Sequence, residues 1–120
     1  MSKYNASKHR AWRTALSRLP DQHINSSEWQ ALLLILTEVP ALRGLIRHID
    51  FQKSEIAVDL LRRDSRHCSH GEQFLLALAL HLFNADNPLP ADGLAGLQIL
   101  DQENFSLSQL AMRIAYRSNS

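Results

Sequence analysis

The stretch Ser69-His70-Gly71-Glu72, followed by Gln73-Phe-Leu-Leu-Ala-Leu-Ala-Leu-His-Leu-Phe-Asn84, restricts the fold more than any other part of the chain. Serine with glutamate three positions on is a capping box. The hydroxyl accepts from the third helical amide, and the carboxylate reaches back to the serine amide. Glu72 also stands near the positive end of the helix dipole. Beyond this cap the polar side chains are Gln73, His81 and Asn84, which with Ala77 form one narrow stripe at helical spacing. A helix apolar on nearly every other side belongs inside a core. The pattern predicts an all-α, compact single-domain bundle over residues 1–120, with roughly six to seven helices around a central apolar helix at about 69–84.

Helical spacing recurs on both sides of this segment. Trp12, Ala15, Leu16 and Leu19 share one face, with Arg10, Arg13 and Ser17 opposite, and Pro20 ends the run. Ser27 with Gln30 fits a second capping box, ahead of a stripe of Trp29, Leu32, Leu33 and Leu36. Pro40 closes that helix and opens a short one over 41–49, where Arg43 and Arg47 share a side. Asp50 is the expected N-cap of a fourth helix, with Ile56, Ala57, Leu60 and Leu61 facing inward. Pro90 is expected to start a short helix to Leu97, weakened by Gly93 and Gly96. Asp101 caps the last helix, which carries Leu107, Leu110, Ala111 and Ile114 inward and Arg113 and Arg117 outward. No alternating β-branched run appears, so no strand is expected.

Composition agrees with one folded unit. At 120 residues, with 45% hydrophobic and 21% charged residues, the chain suits one core and no disordered tract. Phe74 to Phe83 is about half the roughly 20 residues of a membrane-spanning helix, and no apolar leader precedes Tyr4. A cytoplasmic protein with no membrane contact is the expectation. Such a thoroughly apolar helix is hard to cover with short neighbours. That admits a homodimer burying part of Phe74–Phe83 or the Trp12 face.

Three motifs hint at chemistry and lack their partners. Ser69-x-Gly71-Glu72 resembles the nucleotide-contacting signature of ABC-type ATPases. That signature works beside a phosphate-cradling glycine loop ending in Lys-Ser/Thr, which Gly44, Gly71, Gly93 and Gly96 cannot form. His67-Cys68-x-His70 has zinc-ligand residue types without standard spacing or a fourth ligand, and His81 lies three turns away. Cys68 follows Arg66 and His67 and precedes a helix N-terminus, an environment expected to lower a thiol pKa. No nucleophile, base and orienting group can be assembled around it. The pairs Glu55/Asp59 and Asp101/Glu103 read as caps and solvated charges. No catalytic residue, metal or cofactor is therefore assigned, and the expectation is a protein that is not an enzyme.

Charge placement carries the remaining information. Residues 1–70 hold 11 Lys/Arg against 7 Asp/Glu, whereas residues 71–120 hold 2 against 5. The candidate binding residues are Arg10, Arg13, Arg43, Arg47, Arg62, Arg63 and Arg66, with Lys8 and Arg18 beside them. A basic front suits an acidic partner. The leading expectation is a non-enzymatic protein-interaction domain. The alternative is a small DNA- or RNA-binding protein using the same surface. An overall isoelectric point near 8.0 and no discernible helix-turn-helix favour the first.

Read in order, Ser69-x-Gly71-Glu72, Leu78-Ala79-x-x-Leu82-Phe83-Asn84 and Leu100-Asp101-x-x-Asn104-Phe105 resemble a group of short uncharacterised bacterial proteins of phage and mobile-element settings. The likeness covers roughly residues 69–117, and Pro88-Leu-Pro90 with Gly93 and Gly96 departs from it. It implies a context, an accessory protein acting on a host protein, and no reaction. It also implies that Ser69, Glu72 and Asp101 are structural caps, with Asn84 and Asn104 fixing how two helices meet.

Overall fold

The computed structural model describes residues 9–89 and 93–117, the side chain of residue 117 excepted. Lys8 and the start of the helix expected at Pro90 lie outside these residues, as does the side chain of Arg117. The α-helices are α1 (Arg10–Leu16), α2 (Asp21–Ile24), α3 (Ser27–Glu38), α4 (Pro40–Arg43), α5 (Val58–Asp64), α6 (His70–Phe83) and α7 (Gln102–Arg117). Two 3-10 helices, Gly44–His48 and Gly93–Ile99, complete the helical part. The radius of gyration, 13.5 Å, matches the roughly 13.6 Å expected of one compact 120-residue domain.

The capping box at Ser69 is complete. Ser69 Oγ accepts from the Glu72 amide at 3.1 Å, and Glu72 Oε1 accepts from the Ser69 amide at 2.9 Å. The helix it starts is buried as its composition requires, with Phe74, Leu75, Leu76, Leu78, Ala79, Leu80 and Leu82 inside. Gln73 and Asn84 are exposed and Ala77 and His81 half-buried, so the polar stripe faces outward. The chain itself covers this helix.

The centre is shared with α3, which the sequence pattern presented as amphipathic. Ala31 through Leu36 are all fully buried, because α3 packs against α1, α6 and α7 at once. Five large aliphatic side chains in a row, each contributing about 1.5–3 kcal/mol on burial, give this helix as large a share of the core as α6. Trp29, at the start of α3, meets Phe83, at the end of α6, edge to face at 4.8 Å. Trp12 ties α1 to the same place by donating to the Gln30 carbonyl at 2.9 Å. The cap of α3 is Ser26 rather than Ser27. Ser26 has the extended backbone of an N-cap and accepts from the Trp29 amide. Gln30 instead donates to the Ile24 carbonyl, holding the small helix α2 in place.

Residues 49–56 depart most from the helical expectation. They form a two-stranded antiparallel ladder, β1 (Ile49–Asp50) and β2 (Glu55–Ile56), paired Ile49 to Ile56 and Asp50 to Glu55. Asp50 is no helix cap; its carboxylate accepts from the Lys53 amide at 3.1 Å and closes the turn. Alternation wins over helical spacing here because Ile49 and Phe51 go inward while Asp50 stays exposed. The fourth helix consequently starts at Val58, with Ala57 exposed, and Glu55 and Asp59 do not share a helix. The helix expected over 41–49 is a single α-turn that tightens to 3-10 at Gly44.

Asp101 caps α7 as expected, accepting from the Asn104 amide at 2.8 Å. Ala111 and Ile114 are buried, and Leu107 and Leu110 pack partly buried against the core. Among the described residues no single helix is long and apolar enough to cross a membrane. The apolar α3 reaches that length only together with the following turn, across a 115° bend.

Candidate functional site

The seven candidate arginines fall into groups with different contacts. Arg47, Arg63 and His48 converge on a single carboxylate. Asp64 receives Arg47 Nη2 at 2.8 Å and Arg63 Nε at 3.0 Å, and its Oδ2 lies 2.7 Å from His48 Nε2. The Arg63 and His48 hydrogen bonds hold the Asp64 carboxyl well below the usual carboxylate range, against the opposing effect of burial. Arg47 also donates to the Gly44 carbonyl, so its guanidinium fastens the 3-10 turn to α5. Arg62 reaches Asn87 Oδ1 at 3.3 Å. Asn87 in turn donates to the Leu80 carbonyl and offers its own carbonyl to His81 Nδ1. These arginines hold the fold together. Arg66 is exposed in the turn before α6, where its carbonyl accepts from Gln73.

Arg10 and Arg43 fall in a different place. With Arg18 they rim an open groove of about 460 Å³ between α1 and the segment running from the end of α3 through α4. Ala11, Ala15, Thr37 and Ile46 supply its buried and half-buried lining, and Thr14 is exposed at its edge. None of the three arginines is paired with a carboxylate among the described residues. Two are held in position all the same. Arg43 Nε donates to the Thr37 carbonyl at 2.9 Å, and the Arg18 guanidinium lies 4.0 Å from the centre of the Phe51 ring. Arg13 is exposed on α1 and does not line the groove.

The shared side expected of Arg43 and Arg47 is lost at Gly44. The change from α to 3-10 winding there sends Arg43 to Thr37 and Arg47 to Asp64. Arg18 stood beside the candidate binding residues in the sequence reading, whereas Thr37 and Ile46 were not picked out. Arg10, Thr14 and Arg18 do recur every four residues, a signal that could have placed two lining residues on one side of α1 and a third just past its end. Nothing in the sequence pointed to Thr37, at the end of α3, or to Ile46, which reaches the groove after the chain turns at Pro40.

A second cavity, about 600 Å³, opens where the N-termini of α6 and α7 meet, bounded by Ser69, Glu72, Asp101 and Asn104 with Leu100 and Ile99. Helix N-termini attract anions. Here the amides of Ser69, Glu72 and Asn104 are taken by the chain's own serine and carboxylate oxygens. Nearby, the Cys68 thiol pKa is raised rather than lowered. Burial and the Glu72 carboxylate outweigh the basic neighbours that the sequence placed first. Among the described residues no three His, Cys, Asp or Glu side chains gather as a metal-binding group.

Compared with models of known protein families, with curated proteins and with solved structures, the chain matches none.

Proposed function

We propose that this protein is a non-enzymatic interaction domain that binds another protein through the groove between α1 and α4. The observation carrying this reading is the contrast between its two sets of arginines. Arg47, Arg62 and Arg63 are spent on Asp64 and Asn87, whereas Arg10, Arg18 and Arg43 rim a largely apolar depression with no carboxylate partner among the described residues. Arginines without a carboxylate partner among the described residues, around a largely apolar lining, are the composition of a binding hot spot, where planar guanidinium groups and an apolar centre act together. Nucleic acid is the weaker reading, because useful phosphate affinity calls for about six or more contacts along one track. The resemblance of residues 69–117 to phage and mobile-element proteins adds a setting: a cytoplasmic accessory protein acting on a host protein.

The test is cross-linking in cells of the source organism, comparing wild type with a variant carrying Arg10→Glu, Arg18→Glu and Arg43→Glu. A protein captured by the wild type and lost by the variant, with unchanged thermal unfolding, is the expected result. Capture that ignores the three substitutions would overturn the reading, as would recovery of DNA or RNA in place of protein.

A further inference from the structure

Resting on that reading, we infer that the occupant of the α1–α4 groove is an acidic peptide segment. Its apolar side chain sits on the Ala11–Ala15–Ile46 floor, and its flanking carboxylates engage Arg18 and Arg43. Each half of this assignment has its own ground. The floor comes from two alanines one helical turn apart, whose small side chains leave a trough, closed on the far side by half-buried Ile46. The rim supplies charge of one sign. A groove with an apolar base and positive edges complements a segment with the opposite arrangement, and such complementarity selects the partner and its register.

Carboxylate recognition is favoured further because the rim is prepared in advance. The Arg43 guanidinium is anchored through Nε to the Thr37 carbonyl, which leaves its two terminal nitrogens without a partner among the described residues. Those nitrogens form the fork that meets a carboxylate in two parallel hydrogen bonds. The Arg18 guanidinium rests 4.0 Å from the centre of the Phe51 ring, a contact that favours this position before a ligand arrives. Groups ordered beforehand lose less side-chain entropy on binding. The turn at Pro40 brings Arg43 back to the end of α3, where it meets the Thr37 carbonyl.

The experiment uses the full chain and fluorescence anisotropy with three labelled hexapeptides: Glu-Glu-Leu-Leu-Glu-Glu, Glu-Glu-Ser-Ser-Glu-Glu and Lys-Lys-Leu-Leu-Lys-Lys. A mixed-sequence DNA duplex serves as competitor. The acidic leucine peptide is expected to bind about tenfold or more tighter than either control, and to weaken about tenfold in Arg18→Glu and in Arg43→Glu. Arg43→Lys, which keeps the charge and removes the fork, is expected to weaken it by a smaller factor, and Arg113→Glu, at an exposed position of α7, to leave it unchanged. Thermal unfolding of each variant separates lost binding from lost structure. Equal binding of the serine and leucine peptides overturns the assignment, and so does displacement of the peptide by the duplex. Self-association of the chain that the same arginine variants abolish assigns the groove to a second copy and also overturns it. If a cellular protein still depends on the groove arginines while no acidic peptide binds, the occupant is wrong and the interaction reading stands. If capture is indifferent to those arginines, the reading itself fails.

Discussion

Gly96 lies flat against the aromatic ring of Phe74, with no space for a β-carbon between them. The 3-10 helix Gly93–Ile99 is thereby seated on the first turns of α6, and Gly96 is buried despite its place in a surface connection. Its φ is not positive, so an alanine there suffers no backbone penalty, and the clash alone decides the outcome. Gly96→Ala is expected to destabilise the protein by about 1–3 kcal/mol, the usual range for overpacking, in urea titrations followed by circular dichroism. Gly71→Ala is the control. A β-carbon there would meet Leu100 Cδ2 at 3.5 Å, an ordinary contact, and stability is expected to hold or rise by up to about 1 kcal/mol. Equal losses at both positions would contradict this account.

The reciprocal cap at the start of α6 makes a second expectation. Ser69→Ala removes the acceptor for the Glu72 amide and is expected to cost about 1 kcal/mol. Glu72→Gln keeps the capping geometry and loses only the charge near the helix dipole, which is worth about 0.3–1 kcal/mol. Thermal melts of the two variants give the order. A larger loss for Glu72→Gln than for Ser69→Ala would show that the charge, not the hydrogen bonds, sets the helix start.

What could be read from the sequence follows from how local each signal is. Ser69 with Glu72, and Asp101 with Asn104, are contacts between residues three apart, and both caps stand where the sequence put them. Burial of α6 was legible because its apolar residues leave one narrow polar stripe. The equal burial of α3 was not, since it depends on α1, α6 and α7 closing around it together. Asp50 shows the limit of capping rules: the same carboxylate serves a helix start or a turn, and the inward pull on Ile49 and Phe51 selected the turn. The groove was half legible. Arg10 starts α1 and Arg18 follows its end at helical spacing, but Arg43 joins them only because the chain reverses at Pro40.

Ser54 carries the third expectation. Its φ of 54° places a side-chain-bearing residue in the left-handed region, in the turn joining β1 to β2, where its amide donates to the Phe51 carbonyl. Glycine adopts this conformation without the penalty of about 1–2 kcal/mol that other residues meet. Ser54→Gly is expected to raise stability by up to about 1 kcal/mol, after subtracting the extra freedom glycine has when unfolded. Ser54→Val is expected to lower it by more than that, because β-branching is least tolerated at positive φ. Urea midpoints decide, and a stabilising valine would rule out strain at this turn.

Asp64 makes the fold's acid response specific. Its carboxylate joins α5 to the 3-10 turn through Arg47 and His48 and is held further by its neighbour Arg63. Its folded pKa is lowered, first by the Arg63 hydrogen bond and then by that of His48, so folding favours the ionised form. The stabilisation is therefore complete above the unfolded-state value, about pH 4. As pH falls through and below that point, the unfolded chain takes up a proton at this residue that the folded chain resists, and the contribution is lost. Asp64→Asn removes this linkage while keeping the side chain's size. The variant is expected to have a lower urea midpoint than wild type near neutral pH, with the gap narrowing as pH falls from about 5 towards 2. Denaturation curves at several pH values in that window, with ionic strength held constant, measure it. A gap that stays constant over the whole range would mean that Asp64 supports the turn by shape and neutral hydrogen bonding, with no part played by its charge.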